Sequence, residues 1–288
     1  MSLTARRLGD SFVAEISGVD LAQGPDDSTW AELHRAYLEH KVLYLPGQRL
    51  TAEQLCRFGE RFGEIEPHTV RMYRHPERPG ITILSNRVET GRPKGIRDAG
   101  SHWHSDYSYK AVPANVTILY ALEIPDEGGD TLFCDMEAAY AALPDDLKVL
   151  LEGRRQAVQY RWHRDRGHPE SRWKLLSPEE QAESPEVVHP AVRTHPETGR
   201  KALYLFPGIT SGVKGIIGMD PAESDALLAQ IWAHCTQERF VHRFKWSGPG
   251  DLLLWDNRCT MHHATTDRLP PDRHRTLWRI NTRGTVPA

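Results

Sequence analysis

Apolar residues recur at helical spacing in four places along the chain. Between Ser28 and His40 they fall at Trp30, Leu33, Tyr37 and Leu38, which is one face of a helix. Thr51-Ala-Glu-Gln54 is a capping-box pattern, in which Thr51 and Gln54 satisfy each other's free amides, and it opens a second helix to Phe62. Asp135–Leu143 and Asp145–Leu151 predict a helical pair split by Pro144. Asp220-Pro221-Ala-Glu223 supplies a cap, a first-turn proline and an early acid, and starts a helix to about Thr236. Between these lie short runs rich in β-branched and aromatic residues, at 41–45, 81–84, 116–122, 202–206, 251–255 and 276–282. Gly, Pro, Asn or Asp bound each one, as they bound strands. Strands and helices do not alternate regularly, which argues against a doubly wound parallel sheet. The pattern predicts a mainly β protein with inserted helices, a sandwich or jelly roll.

Composition adds limits. The chain has 288 residues, 39% hydrophobic and 26% charged, without a linker-like tract or internal repeat, so one domain over 1–288 is expected. The formal net charge is −3 with both signs dispersed, which gives no basic footprint for nucleic acid. The basic run 154–166 is broken by aromatics and Asp165 and reads as a solvated face. No stretch approaches the roughly 18 apolar residues of a membrane span. The opening MSLTARRLGDSF lacks the apolar core of a signal peptide. Cys56, Cys134, Cys235 and Cys259 are far apart, which fits neither a disulfide framework nor a zinc–thiolate site and points to a reducing, cytoplasmic setting. Fifteen histidines are the unusual feature, and the chemistry is sought there.

A histidine two residues before an acid is weak evidence alone. The pattern occurs at His104/Asp106, and also at His163/Asp165, His75/Glu77, His168/Glu170 and His195/Glu197. In the last three a proline follows the histidine and marks a turn. His104 differs in its surroundings, since Ser101–Tyr109 is dense in aromatics and small polar residues, as an extended segment would be. Strand residues two apart share a face with Cα atoms roughly 6–7 Å apart, so His104 and Asp106 could converge on one metal, with His102 as a rival. Two histidines and a carboxylate suit iron(II), leaving three positions open, although zinc also accepts them.

A third ligand is available after the apolar run ending at Trp255, where His262 and His263 follow the turn signal Asp256-Asn257. Next comes Arg273–Thr282. Read as a strand, it puts Arg275, Leu277, Arg279 and Asn281 on one face, opposite Thr276, Trp278, Ile280 and Thr282. The second face reads as core, which turns both arginines toward something else. Arginine's planar fork grips carboxylates in two places.

Trp103-His-Ser-Asp106 resembles the W-H-x-D signature of the taurine / 2,4-dichlorophenoxyacetate dioxygenase (TauD/TfdA) family, and Trp255-Asp-Asn-Arg258 followed by His262 resembles its W-D-N-R-x-x-x-H. Gly128-Gly-Asp-Thr131 is similar to its G-G-D-T element, and Leu45–Gln48 and Val192–Pro196 to further segments in matching order. The likeness runs from about residue 10 to about 283. It implies a double-stranded β-helix (a cupin-like jelly roll) with His104, Asp106 and His262 holding Fe(II). It implies that Thr131 and Arg275 bind the distal carboxylate of the cosubstrate 2-oxoglutarate, and that Arg279, His68, Tyr107 and Ile209 face the substrate. Arg273 stays a rival to Arg275, because the loop before it is about two residues longer than in the taurine enzyme. Gly100 stands where that enzyme has a substrate-contacting asparagine, so taurine is not the expected substrate.

The implied activity is oxidation of a small, anionic organic molecule by dioxygen, releasing succinate and carbon dioxide and hydroxylating the substrate, with cleavage where the new hydroxyl destabilises it. Asp106 argues against halogenation, since related halogenases lack that carboxylate. Competing readings are desaturation at the same iron, a zinc-dependent hydrolase, and a non-catalytic jelly-roll binding protein. Arg279 and His68 suggest the anion, and Tyr107 with the Tyr160–Trp173 stretch suggests an aromatic or lidded pocket. Relatives of this kind commonly form dimers or tetramers.

Overall fold

The computed structural model describes residues 3–97, 99–160, 177–206, 212–270 and 272–288. A seven-stranded sheet runs in the order Thr4–Arg7, Val13–Ser17, Val42–Leu45, Leu252–Asp256, Ala114–Glu123, Thr276–Arg283 and Thr82–Ser85. Its neighbours are antiparallel except for the parallel pair 13–17 and 42–45. A three-stranded antiparallel sheet runs Val241–Phe244, Thr131–Asp135 and Thr260–Ala264. The two sheets meet in one buried cluster, where Leu119, Leu253, Trp255 and Leu277 pack against Phe133 and Phe244. This is the jelly-roll sandwich, mainly β with inserted helices, that the strand pattern predicts.

Alternation decides what each strand shows to the interior. On 114–123, Val116, Ile118 and Tyr120 join a helical layer made by Asp27–His40 and Ala52–Glu60 through Leu33, Tyr37, Leu55 and Phe58. On 276–283, Ile280 joins that same layer and Leu277 joins the sandwich interior. Leu277, Arg279 and Asn281 therefore share the inner face, as the sequence predicts. Complete burial of a residue such as Ile280 contributes about 1.5–3 kcal/mol, enough to fix the register and with it the arginines. A second helical layer, Met136–Ala141, Asp145–Leu151 and Pro221–Cys235, covers the smaller sheet through Cys134, Met261, Leu227 and Ile231. The Thr51 capping box and the Asp220 cap form as predicted.

Two expectations need correction. Ser101–Tyr109 is not a strand: His104 makes a single antiparallel bridge to His262, and the chain then turns, with Tyr107 at φ 54°. A bulky residue in the left-handed region ends any extended run. His104 and Asp106 thus converge across a turn, and not by sharing a strand face. The strands 131–135 and 260–264 were also absent from the pattern, because the inward positions of Thr131, Thr260 and His262 are polar and hide the alternation. Ile209, His163/Asp165, His168/Glu170 and the part of the aromatic stretch beyond Tyr160 lie outside the described residues.

Candidate active site

His262 lies in the middle of the strand Thr260–Ala264, between Met261, which packs into the outer helical layer, and His263, which meets Trp103 at 5.6 Å between ring centroids. His262 turns the other way, against Trp255 at 4.5 Å. Reciprocal backbone bonds, His104 N–H to the His262 carbonyl (3.0 Å) and His262 N–H to the His104 carbonyl (2.8 Å), bring the two imidazoles to 4.1 Å. The Asp106 amide donates to Asn257 Oδ1 at 3.1 Å, which ties its turn to the loop after Trp255. His104 Nε2 is then 3.8 Å from Asp106 Oδ1, and His262 Nε2 is 3.7 Å from Oδ2. The three donor atoms lie within 4.8 Å of one another. These gaps are too long for hydrogen bonds and suit a cation held between them.

Tautomer and charge agree with that use. His104 Nδ1 donates to the His102 carbonyl at 2.8 Å, so Nε2 keeps its lone pair toward Asp106. His102 therefore contributes a backbone oxygen to the cluster. Burial lowers His104 to about 3, assisted by His262, and lowers His262 to about 4 against the pull of Asp106. Burial alone would raise Asp106, yet Arg279, the two histidines and the Thr117 hydroxyl hold it well below the usual carboxylate range. At neutral pH the cluster is two neutral imidazoles and one carboxylate, all with lone pairs to offer a divalent metal. That donor set fits iron(II) as a facial triad.

A second feature adjoins it. Arg275 is buried, and its Nε and Nη2 have no hydrogen-bond partner among the described residues. Burial lowers it to about 10, with Asp130 opposing, so it remains a cation at neutral pH. A buried, unpaired guanidinium is costly, which makes it the natural mate of an incoming carboxylate. Its guanidinium lies over the Trp246 ring at 5.6 Å, and Trp246 Nε1 donates to Thr131 Oγ1 at 3.2 Å. That bond leaves the Thr131 hydroxyl proton free to donate elsewhere. A Cβ on Gly129 (φ 69°) would stand 2.9 Å from Arg275 Cδ, so glycine is needed for the arginine to lie there. A narrow crevice lined by Asn86, Ile96, Thr266 and Leu269 opens onto Arg275. Arg273 instead points outward, 3.6 Å from the exposed Asp126.

Arg279 is buried with Nη1 3.3 Å from Asp106 Oδ1, while its Nε has no partner among the described residues. Burial opposes its charge, but Asp106 and the hydroxyls of Tyr107, Tyr109 and Tyr160 raise its pKa. These tyrosines form one aromatic cluster, 5.9 Å between Tyr107 and Tyr109 and 4.1 Å between Tyr109 and Tyr160. Val70 packs on that cluster, and the Val70 amide donates to His68 Nδ1 at 3.1 Å. Tyr107 is thus within electrostatic reach of Arg279, and His68 is tied through Val70 to the same aromatic cluster. Sequence reasoning missed Trp246, which no signature marks, and Thr117, and it read Asn257 only as a turn and signature residue. Asn281 sat on the predicted inner face, and its position there was the available signal.

The sequence profile of the taurine catabolism dioxygenase TauD, TfdA family matches residues 4–281. The chain is 35% identical over 279 residues to an alpha-ketoglutarate-dependent 2,4-dichlorophenoxyacetate dioxygenase of Cupriavidus pinatubonensis, covering 92% of each. It is 34% identical to an (S)-phenoxypropionate/alpha-ketoglutarate-dioxygenase of Sphingobium herbicidovorans, over 90% of this chain and 88% of that one. Among solved structures, a taurine dioxygenase from Burkholderia xenovorans superposes with a TM-score of 0.81 at 32% identity, covering 100% of this chain and 91% of the other. AAD-2 in complex with Mn(II) and N-oxalylglycine superposes with a TM-score of 0.82 at 31% identity, over 100% and 98%. The chain belongs to the TauD/TfdA family of dioxygenases.

Proposed function

We propose that His104, Asp106 and His262 hold Fe(II), that Thr131 and Arg275 hold the distal carboxylate of 2-oxoglutarate, and that Arg279, His68, Tyr107 and Ile209 face a small organic anion. The chain is a 2-oxoglutarate-dependent dioxygenase. One observation carries the residue roles: a lone-pair-bearing triad shares the sandwich interior with a buried guanidinium that has spare N–H groups. Fe(II) and 2-oxoglutarate held by these residues would supply the dioxygen-dependent oxidation that releases succinate and carbon dioxide.

The chain's own groups bind and orient. Arg275 offers two N–H donors to one carboxylate, and Thr131 adds a hydroxyl whose acceptor side Trp246 already occupies. Arg279 balances Asp106, keeps an Nε without a partner among the described residues and lies within electrostatic reach of the tyrosine cluster, which supports an anionic substrate with an apolar body. Buried walls exclude water and strengthen these charge contacts. The proposed outcome is hydroxylation, with cleavage where the hydroxylated carbon carries a heteroatom leaving group. The whole chain, 1–288, is read as one catalytic domain. No described helix is long and apolar enough to cross a membrane. A cytoplasmic location and a dimer or tetramer remain parts of this proposal, the latter testable by sedimentation.

Anaerobic addition of Fe(II) and 2-oxoglutarate is expected to give a visible metal-to-ligand band. Admitting air with a panel of small carboxylates and sulfonates is expected to release succinate, with mass spectrometry separating hydroxylation from desaturation. Absence of the band, with full activity in Zn(II), overturns the proposal.

A further inference from the structure

Thr117 and Asn281 project from adjacent strands onto Asp106. Both are buried. The Thr117 hydroxyl is 2.6 Å from Asp106 Oδ2, 2.6 Å from Asn281 Nδ2 and 2.8 Å from Asn257 Nδ2. The two amide nitrogens can only donate. They occupy both lone pairs of the hydroxyl, and its single proton must then go to the carboxylate. The network therefore runs one way, from the two asparagines through Thr117 to Asp106. Asn257 cannot turn its amide over, because its Oδ1 accepts from the Asp106 amide at 3.1 Å and from Trp255 Nε1 at 3.2 Å. Asn281 Nδ2 also reaches Asp106 Oδ2 directly, at 3.1 Å.

Oδ2 thus accepts two hydrogen bonds, while among the described residues Oδ1 accepts one, from Arg279 at 3.3 Å. A carboxylate oxygen has about two lone-pair directions, so Oδ2 is saturated and Oδ1 keeps one open. We propose that Thr117 and Asn281 are positioning residues that hold Asp106 so that Oδ1 alone is offered to the metal, and that this clamp sets how tightly the site retains it. The inference rests on the reading of His104, Asp106 and His262 as metal ligands.

Mn(II) alone, titrated into full-length apoprotein and followed by the electron-paramagnetic-resonance signal of the free ion, tests it without turnover. Thr117→Val keeps the shape and removes the hydroxyl, and is expected to bind Mn(II) about 10- to 100-fold more weakly. Thr117→Ser keeps the hydroxyl and is expected to hold affinity within about threefold of the parent, whereas a purely packing role would leave the valine variant parent-like and weaken the serine variant. Asn281→Ala is expected to weaken binding about tenfold, and it carries the test if thermal unfolding shows that Thr117→Val does not fold. Parent-like affinity in folded Thr117→Val or Asn281→Ala, or a serine variant no better than valine, overturns the inference alone. A parent protein that takes up no Mn(II) overturns the metal-site reading and this inference with it.

Discussion

Among the described residues, two buried clusters bring metal-ligating side chains within the same 4.8 Å, His104/Asp106/His262 and His195/Asp256/Cys259. Only the first has lone pairs to give. In the second, Asp256 receives Arg258 through Nε (2.8 Å) and Nη2 (2.7 Å) and His195 Nε2 at 2.9 Å. His195 Nδ1 accepts from the amides of Glu197 (3.2 Å) and Thr198 (3.1 Å), so its proton lies on Nε2 and points at Asp256. Burial pushes the Cys259 thiol well up, which keeps it protonated. His104 has the opposite tautomer, because at its Nδ1 it meets a carbonyl in place of amides. Residue type and proximity are therefore insufficient. At His104 and His195 the backbone group behind the ring decides whether the nitrogen facing the cluster is an acceptor or a donor.

The largest expected effect separates the clusters directly. Asp106→Ala removes the only anion of the triad and is expected to abolish Mn(II) uptake and succinate formation, beyond the roughly 10- to 100-fold typical of an outer partner. Cys259→Ala is expected to leave one metal per chain, by metal analysis after dialysis. Loss of metal from folded Cys259→Ala would break the distinction.

Asp256→Ala is expected to act on stability instead. It strands the Arg258 guanidinium, which is buried and shared with Glu197, at a cost of about 3–5 kcal/mol in denaturant unfolding. Whatever fraction stays folded is expected to bind metal, since no triad atom is changed. Conversion of this pair to apolar residues of similar volume is expected to restore much of the loss, as a saturated structural pair would allow.

Arginines repeat the contrast. Arg258 is saturated by Asp256 and Glu197, whereas Arg275 has two N–H groups without partners among the described residues. Arg275→Ala is expected to raise the 2-oxoglutarate requirement about 10- to 100-fold, the worth of a charge-assisted bond of about 1.5–3 kcal/mol, with little change in metal uptake. Arg273→Ala, at an exposed pair with Asp126, is expected to change it less than about twofold. The reverse ranking in succinate assays would exchange their roles.

The same contrast explains what could be read in advance. Helix caps at Thr51 and Asp220 and the alternation through Leu277, Arg279 and Asn281 are local, and the sequence displays them directly. The triad's membership was legible only through signature resemblance, because spacing could not choose between His102 and His104 or between His262 and His263. That choice depends on the long-range bridge between His104 and His262 and on the turn at Tyr107, neither of which is a local pattern. Trp246 was illegible for the same reason: its hydrogen bond to Thr131 spans 115 residues.

The last expected effect concerns protons. His104 and His262 titrate near 3 and 4 in the fold, lowered first by burial, but near 6.5 in an unfolded chain. Below about pH 6.5 the unfolded chain gains protons that the folded one refuses, so stability present above that pH is lost as pH falls toward 4. Each group contributes up to about 1.4 kcal/mol per pH unit. The denaturant midpoint of the apoprotein is therefore expected to drop between pH 7 and pH 5, and less so in a double variant His104→Gln, His262→Gln. Saturating Mn(II) needs the same neutral imidazoles, so it is expected to protect at pH 7 and to protect progressively less as the solution is acidified. An identical pH slope in the parent and the double variant would show that the two imidazoles are not held neutral by burial, and the tautomer contrast with His195 would lose its electrostatic half.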